Sequence, residues 1–293
     1  MPRLFSKNMV SQSTRLFQFI FKGKQIRNGY AFLCLILLSA GSFSVSAYSK
    51  ERIVTLTPHS TSLAISAGLR DSLVGVSEHS INVDEVPIVA GYNYQDTEHI
   101  LALNPTLVLA LPSMKETKIL QLLSQNKVTI LYHSPQTLEQ VSTMVLTLSD
   151  YAIDPSIGKK AVKKFNQRVD NIKQKYSKKR KMVYFYQLGG QPSYTMSEGS
   201  WPSEAFQLCG GTNMIPASSI PYLTVGLEDI VVGQPEAIFI SHSAVETPQE
   251  WTKFQDLLPV KQVHKIQSEW LNIPSLHSIE AVEEICHTLD TIR

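Results

Sequence analysis

The sequence predicts an α/β fold with two Rossmann-like lobes of mainly parallel sheet, joined by one long α-helix, with a ligand cleft between the lobes. Three observations predict it. Short apolar runs typical of strands alternate with longer runs whose apolar residues recur at helical spacing. A helix–proline–strand pattern occurs twice, 130 residues apart. One long amphipathic segment separates the two copies.

The first lobe, residues 51–153, is predicted from strand and helix candidates in alternation. The strand candidates are apolar almost throughout, as expected of strands buried on both faces of a parallel sheet. They are "RIVTLTP" (52–58), "LVGVS" (73–77), "TLVLA" (106–110) and "VTILYH" (128–133). The helix candidates are "KETKILQLLSQN" (115–126) and "TLEQVSTMVLTLSDYA" (137–152).

The second lobe, residues 180–293, is predicted from an internal repeat. "EHILALNPTLVLA" begins at Glu98 and "EDIVVGQPEAIFI" begins at Glu228, and each has an isoleucine and a proline at the same positions. The same offset places the first strand candidate on "MVYFYQL" (182–188). Coincidence between two ordinary helix–strand units is the alternative, but two matches in one frame favour two similar lobes.

A single helix, residues 154–178, is predicted between the lobes. Its apolar residues recur every three to five positions and lysines occupy the other face, which is the pattern of an amphipathic helix. Pro155 falls in the first turn, where proline is tolerated. The helix is expected to act as a stiff spine, with its basic face simply solvated.

Residues 1–47 have the features of a cleaved secretory signal peptide. Six basic residues and no acidic residue are followed by a short apolar run and by Val45-Ser46-Ala47, a small-x-small exit. A membrane anchor is the alternative, but the strongly apolar part is shorter than the ~20 residues that span a bilayer. Translation could start at Met1 or at Met9, and Leu33 argues against a lipid on Cys34.

The chain that remains after cleavage is slightly acidic. It has 21 basic and 25 acidic side chains, a net charge of −4, and no basic patch that would argue for nucleic acid. Two cysteines are left, Cys209 and Cys286. In an oxidising compartment a disulfide between them is favoured over two buried thiols.

Motifs of common enzymes are missing from the sequence. It contains no phosphate-binding Gly-x-x-x-x-Gly-Lys-Ser/Thr loop, no Gly-x-Ser-x-Gly elbow, no His-Glu-x-x-His and no Cys-x-x-Cys. His277 and Glu280 share a helical face, but two groups do not make a metal site. A secreted α/β enzyme therefore stays only as a less favoured hypothesis.

Aromatic and polar residues follow several strand candidates, where an open α/β sheet places its crevice. Rings with polar edges suit a large flat ligand rich in amides. For each ring alone, a partly buried position in a loop is an equally good interpretation. The residues are His79, Tyr92, Tyr94, Tyr194, Trp201, Tyr222, Glu269 and Trp270.

Over residues 52–292 the chain resembles the periplasmic binding proteins with a helical backbone, which serve ABC importers of cobalamin, haem and ferric siderophores. The resemblance is carried by "RIVTLTPHSTSLAISAG", "EHILALNPTLVLA", "WPSEAFQLCGGTN", "PYLTVGLEDI" and "SEWLNIPS". Within the family it is most similar to the cobalamin-binding branch. The resemblance implies a periplasmic protein, monomeric when free, that carries cobalamin without transforming it and has no cofactor of its own.

The resemblance also implies roles for single residues. Glu98 and Glu228 match acidic residues that dock on the permease, in an assembly of two permease and two ATPase subunits, whereas favourable placement in a first helical turn is their structural alternative. The cysteine pair matches a family disulfide. Positions that match the ligand pocket are Tyr92, Tyr194, Tyr222, Trp270, Glu269, His79 and Trp201.

Several positions depart from the cobalamin-binding pattern. Leu111 replaces an expected indole, Ile273 replaces an arginine, and Leu276-His277 replaces a proline–arginine pair. Ser62 replaces a glutamate. A haem- or siderophore-binding protein of the same fold is the alternative, because His79 and Tyr92 suit iron ligation while the lost arginines weaken the case for a siderophore.

Overall fold

A computed structural model describes residues 50–81, 83–190, 192–244, 248–260, 262–267 and 269–293. These residues belong to one compact unit. The predictions on residues 1–47, including Met9 and Cys34, lie outside the described residues. Within the described residues, no helix combines the length and the apolar character needed to cross a bilayer.

The first sheet contains five parallel strands in the order β3-β2-β1-β4-β5. They are β1 (Ile53–Thr55), β2 (Leu73–Ser77), β3 (Ile88–Ala90), β4 (Leu107–Ala110) and β5 (Thr129–Tyr132). The central strands β1 and β4 are fully buried, as predicted. The prediction of burial was wrong for β5, because that strand lies at the edge of the sheet and has two exposed residues.

Four helices cover the two faces of this sheet. They are α1 (Pro58–Ser66), α2 (Thr97–Ala102), α3 (Lys118–Gln125) and α4 (Leu138–Ser149). Helices α1 and α4 pack on one face, and α2 and α3 pack on the other. Three of them begin at side-chain caps, Thr57, Asp96 and Thr137, which accept a backbone N–H that the helix cannot satisfy itself. Two short 3₁₀ segments are Arg70–Ser72 and Pro112–Met114.

The predicted spine is helix α5, Ser156–Tyr176, which is 21 residues long. Its buried side chains recur at the predicted spacing and include Val162, Phe165, Val169 and Ile172. They belong to one apolar core that continues from α1 and α4 on one side to the second lobe on the other. Burying each such side chain is worth roughly 1.5–3 kcal/mol relative to leaving it exposed.

The second lobe is built on a four-stranded parallel sheet in the order β11-β10-β6-β8 and an antiparallel ribbon of β7 and β9. Its strands are β6 (Met182–Gln187), β7 (Ser193–Met196), β8 (Gly211–Asn213), β9 (Tyr222–Val225), β10 (Ala237–Ile240) and β11 (Val263–Lys265). Its helices are α6 (Trp201–Leu208), α7 (Leu227–Gly233) and α8 (Ser278–Ile292). The segments Pro248–Leu257 and Glu269–Leu271 are 3₁₀-helical.

The internal repeat is present in the structure. Helix α2 begins at Thr97 and α7 begins at Leu227, and the strands that follow them keep the same offset of 130 residues. Ile100 and Ile230 are both fully buried beneath their helices. Each pattern therefore builds the same unit, a helix that lies on a sheet and leads into a buried strand.

One further link lies within the second lobe and another joins the two lobes. The predicted disulfide joins Cys209 to Cys286 and so ties α6 to α8. The Glu204 carboxylate of α6 accepts a hydrogen bond of 2.6 Å from the Leu138 N–H at the start of α4, so it bridges the two lobes directly. The predicted boundaries of the lobes, 51–153, 154–178 and 180–293, remain a prediction within this one unit.

Candidate ligand-binding crevice

Two residues of the first lobe that were predicted to bind the ligand lie at the carboxyl edge of its sheet. His79 follows β2 and Tyr92 follows β3, and the carboxyl ends of parallel strands meet at one edge. His79 is exposed and has φ +60°, a conformation in which histidine is among the more tolerated residues. Tyr92 is 97% exposed, so its ring faces solvent in the free protein.

A closed turn presents the Tyr92 ring. The Gly91 N–H donates to the Tyr94 carbonyl at 2.9 Å, and Ala90 pairs with Gln95 across the turn. The Tyr94 hydroxyl donates to the Glu78 carboxylate at 3.1 Å, which ties this turn to the end of β2. Tyr94 is thus a support of the turn, whereas Tyr92 at its tip is available for stacking.

A network of hydroxyl and imidazole groups lies beside this edge and was not predicted. The Ser60 hydroxyl lies 2.9 Å from His133 Nε2 and 2.5 Å from the Thr57 hydroxyl. The Thr61 hydroxyl lies 2.8 Å from that of Ser80, next to His79. The signal available in the sequence was that Thr57 and His133 lie at the ends of strand candidates and that Ser80 follows one, close to where the predicted site residues lie.

Two histidines in this network are neutral at ordinary pH. Their rings meet edge to face, with centroids 5.2 Å apart. Burial lowers the pKa of His59 to about 4, and burial together with repulsion from His59 lowers the pKa of His133 to about 3. His133 Nδ1 is buried and has no hydrogen-bond partner among the described residues.

The structure brings Tyr194 and Tyr222 together in the second lobe. They lie on adjacent strands of the β7–β9 ribbon, where Tyr194 pairs with Thr224 and Met196 pairs with Tyr222. Their rings are nearly parallel, at 27°, with centroids 6.3 Å apart, and both are partly exposed. Burial, followed by the proximity of Tyr194, raises the pKa of Tyr222, so its phenol stays protonated and can donate a hydrogen bond.

Glu269 and Trp270 lie together in the turn after β11. The Trp270 ring stacks on the His277 ring with centroids 4.5 Å apart and an angle of 24°. A Glu269 carboxylate oxygen lies 3.5 Å from His242 Nε2, at the end of β10. The two residues therefore present an aromatic face and an exposed carboxylate at the carboxyl edge of the second sheet.

Trp201 requires a correction, because the structure places its ring in the core and not at the rim. It is only 5% exposed, and its indole N–H donates to the Leu271 carbonyl at 2.8 Å. Trp201 begins α6 and shares its buried face with Ala205 and Phe206. It therefore fixes the backbone beside Trp270 and offers no free face to a ligand.

Further polar residues that the sequence analysis missed support the same turn. The Tyr186 hydroxyl donates to Asn272 Oδ1 at 3.2 Å, and Asn272 Nδ2 donates to the Ser241 hydroxyl at 2.8 Å. Burial raises the pKa of Tyr186 to about 12. Asn272 lies two residues after Trp270 in "SEWLN" and is itself exposed, so it belongs with the rim residues by position.

The departures from the family pattern have distinct surroundings. His277, which stands where an arginine is expected, packs on Trp270, so an imidazole face replaces a guanidinium there. Leu111 caps a 3₁₀ turn, Ile273 is partly buried, and Ser62 is buried in α1. Across the described ranges, no group of three or more His, Cys, Asp or Glu residues could hold a metal ion.

The two repeat-related glutamates are exposed at the starts of matching helices. In the first lobe Asp96 caps α2 by accepting from the His99 N–H, and in the second lobe Asp229 accepts from the Gly226 N–H before α7. A neighbouring aspartate thus accepts a backbone N–H at the start of each helix. Both residues are exposed, and neither Glu98 nor Glu228 makes a hydrogen bond or ion pair with another described residue.

Comparison with known proteins agrees with this geometry. A model of the periplasmic binding protein family matches residues 53–262. The chain belongs to that family. A vitamin B12-binding protein of Vibrio campbellii is 35% identical over 272 residues, which cover 91% of this chain and 98% of that relative. A vitamin B12-binding protein of Vibrio cholerae serotype O1 is 36% identical over 259 residues, covering 86% and 94%.

Solved structures share this fold. The crystal structure of the periplasmic vitamin B12 binding protein BtuF of Vibrio cholerae matches with a TM-score of 0.74 and 35% identity, covering 83% of this chain and 97% of that one. The periplasmic haem binding protein HutB of Vibrio cholerae matches with a TM-score of 0.70 over 82% and 99%, but at 19% identity. The second likeness concerns the fold alone. Both matches confirm the two-lobed α/β fold.

Proposed function

We propose that this periplasmic binding protein captures cobalamin between its two lobes and delivers it to the permease of an ABC importer. The observation that carries the proposal is the similarity, at 35% identity over nearly the whole chain, to vitamin B12-binding proteins. The aromatic residues at both sheet edges support it, because a planar corrin with amide side chains needs ring faces and polar groups together.

Each lobe contributes part of the proposed site. Tyr92 and His79 act from the first lobe, while Tyr194, Tyr222, Trp270 and Glu269 act from the second. The rings stack on the ligand, and the Tyr222 hydroxyl and the Glu269 carboxylate bond to polar groups at its periphery. The site performs no chemistry and holds no cofactor of its own, so the protein binds and releases its ligand unchanged.

Haem is the second candidate ligand. It is also large and flat, and His79 and Tyr92 are both exposed and of the types that ligate haem iron. Haem binding would use one of these atoms as an axial ligand, whereas cobalamin binding as proposed uses the Tyr92 ring face. A ferric siderophore is less favoured, since Ile273 and His277 stand where arginines are expected.

Calorimetric titration of the chain without residues 1–47 decides between these ligands. Cyanocobalamin, haemin and a ferric siderophore are titrated separately into the same protein preparation. Micromolar or tighter binding of cyanocobalamin is expected, with weaker or no binding of the other two. Tight binding of haemin alone would overturn the assignment of the ligand.

Glu98 and Glu228 are the proposed contacts with the permease. Neighbouring aspartates make the side-chain hydrogen bonds at the start of both helices, and the exposed glutamates make none with the described residues, so the glutamates can pair with cations on a partner. Their equivalent places on the repeated unit suit two related permease subunits. The importer is expected to contain two permease and two ATPase subunits, and the binding protein is expected to be a monomer when free.

The E98A/E228A double variant tests this docking. It is expected to abolish uptake of cobalamin into cells while the affinity of the isolated protein for cyanocobalamin stays unchanged. The matched control is E116A, which removes an exposed carboxylate elsewhere on the first lobe. Loss of ligand affinity in the double variant would show that the two glutamates serve the ligand site instead.

Export is the remaining part of the proposal. Residues 1–47 direct the chain across the inner membrane and are removed, and the disulfide then forms in an oxidising compartment. Mass spectrometry of the protein isolated from the periplasm should find a new N-terminus at Tyr48. Retention of the full chain in the membrane fraction would favour an anchor.

A further inference from the structure

The proposed docking helices α2 and α7 follow the same plan, but their C-terminal ends differ in chemistry. Both helices end at a residue in the left-handed conformation, Asn104 with φ +46° and Gln234 with φ +43°, at the same offset of 130 residues. A proline and a buried strand follow each of them. The two surfaces can therefore be compared position by position.

The C-terminal end of α2 presents a small side chain and a positive charge. Ala102 is exposed on its last turn. The Arg52 guanidinium donates to the Leu103 carbonyl at 2.6 Å and to the Asn104 carbonyl at 3.2 Å, so a positive charge closes the helix. Arg52 has Met182 as its counterpart in the second lobe, and Met182 is buried.

The end of α7 is apolar. Val232 corresponds to Ala102 and is 83% exposed, and it lies one helical turn after Glu228 on the same face. Leu257, at the end of the segment Pro248–Leu257, is 53% exposed. Gln234 joins these two elements, since its side-chain amide donates to the Val231 carbonyl at 2.6 Å and to the Leu257 carbonyl at 3.1 Å.

The two elements that carry Val232 and Leu257 share one buried core. Ile230 of α7 is fully buried, and Trp251 anchors the segment Pro248–Leu257 in the same core. The Trp251 indole N–H donates to Gln187 Oε1 at 2.9 Å. Val232 and Leu257 are therefore presented on a preformed surface, so little ordering is needed when a partner covers them.

We infer that Val232 and Leu257 form an apolar shoulder beside Glu228 that packs against the permease, so that the second lobe docks more strongly than the first. The inference rests on the proposed function, which places a permease subunit against Glu228. An unpaired carboxylate one helical turn from the exposed Val232, with the exposed Leu257 on the adjoining segment, matches a partner that presents a cation bordered by apolar surface. The corresponding positions of the first lobe are Glu98, Ala102 and the cationic end of α2.

The test measures binding of the mature protein to the permease–ATPase assembly of its own importer in lipid nanodiscs, by surface plasmon resonance. The V232S/L257S double variant is expected to weaken binding at least tenfold, and each single variant about threefold or more. The control is I153S, which removes a 73% exposed isoleucine beyond the end of α4, on the opposite face of the first sheet from α2. This control is expected to change affinity less than twofold.

The salt dependence of binding is a second readout, and it separates the effect of the apolar shoulder from the effect of the Glu228 charge. The shoulder variants are expected to keep the salt dependence of binding, whereas E228A is expected to reduce it. If E98A/E228A weakens binding and V232S/L257S behaves like I153S, the shoulder is wrong and the proposed docking stands. If neither double variant weakens binding, the proposed docking itself is wrong. A wild-type dimer that V232S/L257S converts to monomer would show that a second copy covers the shoulder, and would overturn the inference.

Discussion

Tyr92 contributes almost nothing to the stability of the free protein, because its ring is 97% exposed at the tip of a turn. The turn itself is held by the hydrogen bonds of Gly91 and Tyr94. An aromatic ring kept in water without a structural role is a good candidate for direct contact with a ligand. Substitution at Tyr92 thus separates binding from folding more cleanly than substitution at a buried ring.

Replacement of Tyr92 by alanine is expected to weaken cyanocobalamin binding by roughly 10–100-fold, since a stacked ring is lost from the site. Y92F is expected to bind within about threefold of the wild type, because the ring face is kept. Calorimetry measures both affinities, and thermal unfolding should show equal stability. Equal loss in Y92F and Y92A would mean that the hydroxyl oxygen, as in metal ligation, is the contact that matters.

The histidine pair His59 and His133 is expected to make the first lobe sensitive to acid. Because burial lowers the pKa of His59 to about 4 and of His133 to about 3, the unfolded chain takes up protons first as pH falls below about 6.5. The contribution of the pair to the free energy of unfolding is complete above about pH 6.5 and is lost progressively as pH falls towards 4. By pH 5 the loss is about 2 kcal/mol for each histidine.

The double variant H59N/H133Q is expected to remove part of this pH dependence. Urea unfolding at pH 7 and at pH 5 measures the difference in free energy of unfolding for the wild type and the variant. The surface variant H99Q serves as the control and should retain the wild-type difference. A wild-type difference that persists in H59N/H133Q would mean that other groups carry the acid sensitivity.

Trp201 shows why the sequence predicts site residues incompletely. Tyr92 and Trp201 both follow strand candidates, and that position alone does not distinguish a solvent-facing ring from a core ring. Trp201, Ala205 and Phe206 recur at helical spacing, and this pattern would have indicated a buried helix face. His133 and Asn272 were missed although they also follow strands, since hydrogen-bonded networks depend on tertiary contacts that the sequence does not reveal.

At the scale of elements, the sequence predicted the helices and strands whose apolar residues recur at a regular spacing. The spine α5, the buried strands β1, β2 and β4, and the repeated unit of helix and strand all have clear patterns. The β7–β9 ribbon has no such pattern. Its two strands have only four residues each, and they pair although a helix and another strand separate them in the sequence. The burial of β5 was mispredicted because the residues of a single strand do not show whether that strand lies at the centre or at the edge of the sheet.

Glu204 acts as a helix cap supplied by the opposite lobe. The first N–H groups of α4 have no acceptor within the helix, and Glu204 accepts from the Leu138 N–H. Burial raises the pKa of Glu204, while that hydrogen bond and the positive charge of Lys173 oppose the shift. The contact links the start of α4 to α6 and so helps to fix the angle between the lobes.

E204A is expected to lower the free energy of unfolding by about 1–3 kcal/mol, because it leaves a partly buried N–H without its charged acceptor. E204Q keeps an acceptor oxygen and should lose about half as much. Urea unfolding at pH 7 measures both. No difference between E204A and the wild type would show that water replaces the carboxylate at no cost.

The disulfide ties α6 to α8 across 77 residues of sequence. Loss of a crosslink over this separation should cost about 4 kcal/mol through the entropy of the unfolded chain. C209A/C286A is the test, measured by thermal unfolding against the oxidised wild type, with ligand affinity expected to change little. Stability equal to that of the wild type would remove the crosslink from the account of how this lobe is held.

At the scale of the whole molecule, one apolar core runs from the first lobe through α5 into the second. The Glu204 contact and the embedded spine oppose a large hinge motion, so closure on binding is expected to be small. This architecture suits a binding protein that presents a preformed crevice to its ligand and holds the proposed docking glutamates at a nearly constant separation.

The most direct test of the account is an experimental structure of the mature chain crystallised with cyanocobalamin. The corrin is expected between the lobes, in contact with Tyr92 from one side and with Tyr222 and Trp270 from the other. A ligand bound outside the crevice, or touching only one lobe, would contradict the claim that the two lobes hold a planar molecule between them.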